Sequence, residues 1–538
     1  MMTDHAIAKN AFGDRSVEKH DVEAVNTAAK AKGLPLYAAH QKVYPKAVDG
    51  DFRRLKWIIM AVTLAIYYVT PWLRFDRGPH APDQAVLVDI AHRRFYFFSI
   101  EIWPQEFFYV AGLLVMAGVG LFLVTSVVGR AWCGYSCPQT VWTDLFLHVE
   151  RFFEGDRNAQ MRLAAAPWSF EKLGKFIMKH ATFLAISVAT GGAWIFYFAD
   201  APTLLWNFVT LQAPPVAYAT VAVLTATTYV LGAIMREQVC IYMCPWPRIQ
   251  AAMLDEDSLV VTYNDWRGEP RTRGTKKAAA AGQAVGDCVD CNACVAVCPT
   301  GIDIRNGQQL ECITCALCID ACNNVMDKIG RERSLISYTT LRDYNHNMAI
   351  AQNPETHVIE PARIRDDKGS FHDIVRHFDW KIFVRPRTLI YFAAWSAIGL
   401  GMLVALLSRD RLEINVQHDR NPVYVKLSDG SIRNGYTVKL LNMIPEPRVI
   451  FLAIEGLPNA KLTINGETQQ DGLPFSLAVE PDKLRSLKVF VSQRAEEAAS
   501  ESTKFRLVAS DTQSNETDSY EAIFEAPERE ESDNDDDD

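Results

Sequence analysis

Between Cys288 and Cys322 the chain carries two successive cysteine runs. They read Cys288-x2-Cys291-x2-Cys294-x3-Cys298-Pro299 and Cys312-x2-Cys315-x2-Cys318-x3-Cys322. No other stretch restricts the fold as strongly. A [4Fe–4S] cube needs four thiolates, and three cysteines at x2 spacing can wrap three of its corners. In two-cluster ferredoxins the fourth cysteine of each run reaches across to the other cube. The expected ligand sets are therefore Cys288, Cys291, Cys294 and Cys322 for one cluster, and Cys312, Cys315, Cys318 and Cys298 for the other. Zinc is the competing reading, but it takes four ligands, usually as separated pairs. One departure from the pattern is visible: Cys298 is followed by Pro299, whereas Cys322 is followed by Asn323.

All 12 cysteines lie between Cys133 and Cys322, in tight groups. That is metal or redox spacing rather than a disulfide framework. The net charge is −9, with much of the acid in Glu528–Asp538, and no basic bias points to nucleic acid. A chain of 538 residues has room for several domains. Five apolar runs, Leu55–Leu73, Phe107–Gly129, Ala181–Ala199, Val216–Met235 and Thr388–Leu407, each approach the ~20 residues that cross a bilayer. The segment after the second run carries Arg130, Arg151, Arg157, Arg162, Lys172, Lys175 and Lys179, and the segment after the third has neither Lys nor Arg. The positive-inside rule then puts the N-terminus and every cysteine in the cytoplasm and the C-terminus outside. Arg74, Arg77, Arg93 and Arg94 oppose this orientation, partly balanced by neighbouring acids. The reducing cytosol suits cluster assembly.

The expected architecture is a multi-domain membrane protein. A five-helix transmembrane bundle carries a cytoplasmic ferredoxin-like two-cluster module and a C-terminal all-β immunoglobulin-like sandwich. Residues 1–52 read as a flexible cytoplasmic arm, and 53–235 as spans one to four. Residues 236–386 form a cytoplasmic segment with the module at about 280–325, 387–408 the fifth span, 409–527 the sandwich and 528–538 a disordered acidic tail. The sandwich reading rests on short β-rich runs such as Val449–Ile454, Phe475–Val479 and Phe505–Val508. Turn signals at Asp429-Gly430, Asn434-Gly435, Asn465-Gly466 and Asp471-Gly472 divide them. A small barrel is the alternative.

A second cysteine pattern repeats. Cys133-Gly-Tyr-Ser-Cys137-Pro138 follows the second span and Cys240-Ile-Tyr-Met-Cys244-Pro245 follows the fourth, with Arg130 and Arg236 just ahead. On a helix, residues four apart share a face, so each pair could present two sulfurs together; the proline could instead force a turn. Four soft thiolates at one membrane level suit Cu(I) or dithiol chemistry, against four merely structural cysteines. The histidines form no recognisable site: His346, His357, His372 and His377 lack ligand spacing, and the spans hold essentially none beyond His180 at an edge.

Together these features resemble the CcoG/FixG/RdxA family of cytochrome c oxidase accessory proteins. The resemblance is carried by the paired Cys-x3-Cys-Pro motifs, by Phe95-Tyr-Phe-Phe98 leading to Trp103-Pro-Gln105, by Glu154-Gly-Asp-Arg-Asn158 and by Cys298-Pro-Thr-Gly-Ile-Asp-Ile-Arg-Asn306. It covers all but the arm and tail. It implies two [4Fe–4S] clusters, a bacterial inner-membrane location with a periplasmic sandwich, and reduction of Cu(II) to Cu(I) at Cys133, Cys137, Cys240 and Cys244. Its implied partners are the cbb3-type oxidase assembly machinery, copper-handling proteins and membrane lipids. Other readings are a quinol-linked electron-transfer subunit of NapH type and a non-catalytic assembly scaffold. The sequence leaves the electron donor unnamed and the oligomeric state open, a homodimer included.

Overall fold

The computed structural model describes residues 42–527, apart from 80, 274–279, 283, 367–369, 377, 445, 470–473, 498–499 and 512. Most of the expected arm, the acidic tail, the Asp471-Gly472 turn and His377 lie outside the described residues. Contacts divide the chain into two units. One takes residues up to Leu73 and Gln84–Gly401; the other takes Arg74–Asp83 and residues from Met402 on.

The first unit is built on five helices long and apolar enough to cross a membrane: Asp51–Trp72, Pro104–Val128, Phe170–Ile195, Pro215–Met235 and Pro386–Leu407. Local chemistry sets their limits. Gly129, with φ +58°, stops the second, because a left-handed residue ends a helix cheaply when it is glycine. The third starts at Phe170 rather than Ala181, capped by Ser169, whose hydroxyl accepts from the Lys172 amide at 3.2 Å. Lys172, Lys175 and Lys179 thus ride on the helix itself instead of in a loop. The fourth changes from α to π at Tyr229–Met235. Thr190 gathers the bundle: its carbonyl accepts from Tyr67 at 2.8 Å, and its hydroxyl meets Tyr68 at 2.8 Å and Trp142 at 2.9 Å. The second and fifth spans are 6% and 0% buried, so apolar side chains face outward all round them, as lipid contact requires. Exposed Trp168 and Phe170 at the start of the third span, and Phe378, Trp380 and Phe383 before the fifth, are placed like an interfacial aromatic belt.

Between the first two spans lies a three-stranded meander of β1 (Val86–Asp89), β2 (Arg94–Phe97) and β3 (Ile100–Ile102). The cysteine-rich module is closed by β4 (Val260–Tyr263) pairing antiparallel with β5 (Ile336–Thr339). Inside it stand the short helix Ala293–Ala296 and the helix Leu317–Ile329. The described end of the arm is not free. Residues 42–50 form an extended strap across the module and the helices that follow the second span. Lys46 N–H donates to the Ala296 carbonyl at 2.8 Å and Asn324 Nδ2 to the Asp49 carbonyl at 2.8 Å. The Ala47 amide donates to Asp156 at 2.8 Å and Arg151 to the Pro45 carbonyl at 3.1 Å. A polar sequence looked flexible because its partners are far away in the chain.

In the second unit two sheets form the immunoglobulin-like sandwich. The strands are β6 (Leu412–His418), β7 (Val425–Lys426), β8 (Ser431–Asn442), β9 (Arg448–Glu455), β10 (Lys461–Ile464), β11 (Glu467–Thr468), β12 (Phe475–Val479), β13 (Leu484–Arg494), β14 (Ser502–Asp511) and β15 (Thr517–Glu525). One sheet has the order β11-β10-β13-β8-β6 with β7 on β8; the other is β12-β9-β14-β15. Inward residues alternate along β13 and β14, as a half-buried strand demands. Tyr436, Phe505, Phe524 and Leu440 fill the space between the sheets. Asn434-Gly435 is not a turn: it sits within β8, the longest strand. The Asn434 amide instead brackets the backbone of Glu525, donating to its carbonyl at 2.8 Å and accepting from its N–H at 3.1 Å. Asn465-Gly466, both at positive φ, does make the expected tight turn between β10 and β11.

Candidate functional site

The eight cysteines of the module line two neighbouring cavities. Cys288, Cys291, Cys294 and Cys322 share one, of about 340 Å³, with Tyr263, Arg305 and Met326. Cys298, Cys312, Cys315 and Cys318 share the other, of about 360 Å³, with Thr300 and Ile313. Each run thus sends its last cysteine to the other cavity. Cys294 also touches the second cavity, so the two have a common wall. Identical four-cysteine donor sets suit two copies of one cofactor.

The backbone repeats as faithfully as the cysteines. Asp290 and Asn292 in the first run, and Thr314 and Ala316 in the second, all take left-handed φ between 48° and 60°. These are equivalent positions in the two Cys-x2-Cys-x2-Cys loops. A left-handed non-glycine residue costs roughly 1 kcal/mol, and Thr, being β-branched, is an outlier there. What the strain produces is a concave run of amide N–H groups, the kind of nest that holds anionic iron–sulfur clusters. Four thiols, such a nest and apolar walls fit a cubane in each cavity. Burial pushes the thiols of Cys294, Cys312 and Cys322 up to about 11, 12 and 12. They are neutral until a metal replaces the proton. The missing proline after Cys322 is explained as well: Cys322 sits inside the helix Leu317–Ile329, where proline would break the turn.

The membrane-edge motifs straddle breaks in the chain instead of one helix face. Cys133 lies in the short helix Ala131–Tyr135, and Cys137 is the cap before Pro138–Glu154. Cys240 lies in the π-helical turn Val239–Met243, and Cys244 caps it ahead of Trp246–Met253. Of the two geometries open to the sequence, the proline-forced turn is the one adopted. Both motifs come against the second cavity. Gly134 lies so close to the Cys312–Cys315 loop that a Cβ would stand 2.7 Å from the Ile313 carbonyl oxygen and 2.9 Å from Cys315 Cα. Cys133 packs with Ile313, Cys315 and Leu317, and Cys240 joins the same cluster. Arg130 binds the loop down, donating to the carbonyls of Leu310 and Cys312 (3.1 Å) and, through Nη2, to that of Pro247 at 2.7 Å. Cys133 donates to the buried Gln250 at 3.1 Å. Burial, with the charges of neighbouring thiols adding to it, pushes the Cys133 and Cys240 thiols up to about 12. The four thiols are electrostatic neighbours, yet among the described residues no group of three or more His, Cys, Asp or Glu converges as a cage for a single ion.

Beside Cys240 a polar cavity of about 370 Å³ is lined by Lys56, Asp144, Arg236, Glu237 and Thr300. Thr300 and Ile313 line both this cavity and the second cysteine cavity, so one layer of side chains separates them. Arg53 clamps both oxygens of Asp144 at 2.8 and 2.9 Å. Burial would raise the Asp144 carboxyl, but Lys56 and Arg53 outweigh it and hold it below the usual carboxylate range.

Comparison with known proteins agrees with this geometry. Residues 235–341 match the family described as "4Fe-4S dicluster domain", and 402–527 the "IG-like fold at C-terminal of FixG". Residues 110–154 match "4Fe-4S binding domain", although they hold only Cys133 and Cys137, too few for a cube alone. The chain is 66% identical over 512 residues to "Nitrogen fixation protein FixG" of Rhizobium meliloti, covering 95% of this chain and 97% of that protein. The chain belongs to the FixG/RdxA family. "Protein RdxA" of Cereibacter sphaeroides is 51% identical over 88% of this chain and 94% of its own length, and "Protein RdxB" 54% identical over 80% and 85%. A solved FixG-related protein from Vibrio parahaemolyticus overlaps 22% of the chain and 97% of its own at 21% identity and a TM-score of 0.19. This FixG/RdxA-family chain is therefore an iron–sulfur redox protein of the membrane. Sequence reasoning missed Lys56, Asp144, Gln250 and Gly134. Lys56 had a signal, being a charge at the start of an apolar run; the others act through contacts distant in the chain.

Proposed function

We propose that this FixG/RdxA-family protein is a cupric reductase. It reduces Cu(II) to Cu(I) one electron at a time at Cys133, Cys137, Cys240 and Cys244, and so supplies copper for assembly of a cbb3-type haem–copper oxidase. Cys288, Cys291, Cys294 and Cys322 hold one cluster, and Cys298, Cys312, Cys315 and Cys318 the other. Bound there, [4Fe–4S] clusters supply one-electron carriers. The observation that carries the reading is the contact of Gly134 with Ile313 and Cys315, which seats the membrane-edge thiols on the second cysteine loop. In this reading electrons come in at the first cavity, and the exposure of Cys291, the one exposed cysteine among the 12, supports it. Thiolates bind Cu(I) more tightly than Cu(II), which raises the copper potential and favours the reduction.

In this reading the cysteine side faces the cytoplasm of a bacterial inner membrane and the sandwich faces the periplasm. Support comes from the Lys and Arg distribution. Arg94, which counted against it, is neutralised by Glu101 at 3.1 Å and stacks on Trp103. The oxidase assembly machinery and copper-handling proteins are the proposed partners.

One observation favours a second reading, a quinol-linked subunit. A groove of about 840 Å³ runs between the third and fourth spans past Tyr229, whose hydroxyl meets His180 at 2.7 Å. Anaerobic Cu(II) reduction by the chemically reduced protein, with quinol oxidation beside it, separates the two. Replacing Cys240 and Cys244 by alanine leaves the cluster signal intact and abolishes Cu(II) reduction. Wild-type Cu(II) reduction with lost quinol oxidation would favour the quinol reading. Both activities intact with failed oxidase assembly would favour a scaffold.

A further inference from the structure

Lys56 is a buried charge that helps to hold the Asp144 carboxyl low without a hydrogen bond of its own among the described residues. It is 3% exposed, in the first turns of the first span. Among the described residues its one ion partner is Asp144 at 3.8 Å, too far for a hydrogen bond, and Arg53 already occupies both Asp144 oxygens. Among the described residues no hydrogen bond fixes its ammonium, which borders the cavity shared with Cys240, Thr300 and Ile313. A buried cation without a tight partner is costly, so its retention points to a role.

The two cysteine sites differ in their charges. Beside the first stands Arg305, bound to Asp290 at 2.7 Å and to Asp303 at 2.7 Å, with exposed Arg273 also on Asp290. Those charges cancel. Around the second stand Lys56, Arg53 and Arg130, with Asp144, the helix-capping Asp320, Glu237 and Glu311 as the nearby acids. Arg130 makes its hydrogen bonds to backbone carbonyls alone. Among these charges Lys56 is the one whose field on Cys315 is foremost, so it reaches the second site across the Thr300 and Ile313 layer.

We propose that Lys56 is a potential-setting residue: its ammonium raises the reduction potential of the site built by Cys298, Cys312, Cys315 and Cys318 relative to that of the site built by Cys288, Cys291, Cys294 and Cys322. Positive charge beside a redox centre stabilises the added electron, and net local charge is among the levers that set cluster potentials. The step is a single-electron exchange with no bond made or broken. The first site is oxidised by one electron and the second is reduced by one. Lys56 thereby gives the path a direction, toward the thiols at Cys133 and Cys240. The inference rests on the cluster assignment above but not on copper being the acceptor.

The test is a redox titration of the full chain in detergent, followed by electron paramagnetic resonance, on wild type, Lys56→Met, Lys56→Arg and Asp144→Asn. In Lys56→Met the potential of one centre falls and the other stays. Lys56→Arg keeps the wild-type values, and Asp144→Asn moves the same centre upward. Unchanged potentials in Lys56→Met, equal shifts of both centres, or shifts of one sign in the Met and Asn variants would overturn the proposal. Should Lys56→Met lose iron, the upward shift in Asp144→Asn decides alone, and its absence overturns the proposal. Cu(II) reduction on the same samples keeps the two readings apart. Flat potentials with active reduction sink this inference only; the expected shifts without reduction sink the cupric reductase only.

Discussion

Glu150→Gln should destabilise the membrane unit by about 3 kcal/mol. Glu150 is 1% exposed. It binds both Nη atoms of Arg236, one at 2.9 Å, and lies 3.2 Å from Lys42 and 3.8 Å from Lys179. Burial alone would raise its carboxyl; Arg236, Lys42 and Lys179 outweigh that and hold it at about 2, against an ordinary 4.5. At ~1.4 kcal/mol per pKa unit the gap is worth about 3 kcal/mol. Breaking a buried pair from one side independently costs ~3–5 kcal/mol, because Arg236 keeps its charge without a partner. At roughly 2 °C per kcal/mol for a large domain, melting should fall by about 6 °C. The assay is thermal unfolding in detergent, read by tryptophan fluorescence with iron counted beside it. The pH dependence has a fixed sign. A depressed carboxyl contributes fully above its unfolded value and loses that contribution as pH falls toward about 2. The gap between wild type and variant is therefore constant from about pH 6 to about pH 8. A variant melting within about 1 °C of wild type over that range would refute the reasoning, since no smaller shift fits a buried, unpaired guanidinium.

Two further outcomes test the reading of the chain. Cys298→Ala should damage the cluster of Cys312, Cys315 and Cys318 while sparing that of Cys288, Cys291 and Cys294, as the cavity linings require; loss of the latter alone, seen by paramagnetic resonance and iron count, would undo the crossed assignment. A reporter fused after Phe524 should be active only if it works in the periplasm, and cytoplasmic activity would reverse the proposed orientation.

What could be read from sequence was whatever repeats or runs locally. Cysteine spacing announced two clusters because the loop that wraps a cube is short. Apolar length announced five spans because bilayer thickness sets it. Asn434-Gly435 misled because a turn dipeptide carries no mark of the strand around it; the Glu525 backbone that Asn434 binds lies on another strand. Gly134 looked like any small residue between two cysteines, and its meaning appears only when Ile313 and Cys315 come up against it. Ser169 could have placed the third helix, since a serine cap before Phe170 is a local signal; the lysines that follow drew attention to charge instead.

The strap at residues 42–50 sets an order on the making of this protein. It leaves the ribosome before any membrane helix, yet each of its contacts waits for something later. Arg151, Asp156 and Arg157 arrive with the turns that follow the second span. Ala296 and Asn324 come only after four spans have been inserted and the cysteine loops have been translated. A segment that must bridge such separate stretches cannot settle on the helices and the module together until both exist. Its docking therefore comes after membrane insertion and closes biogenesis on the cysteine-bearing face.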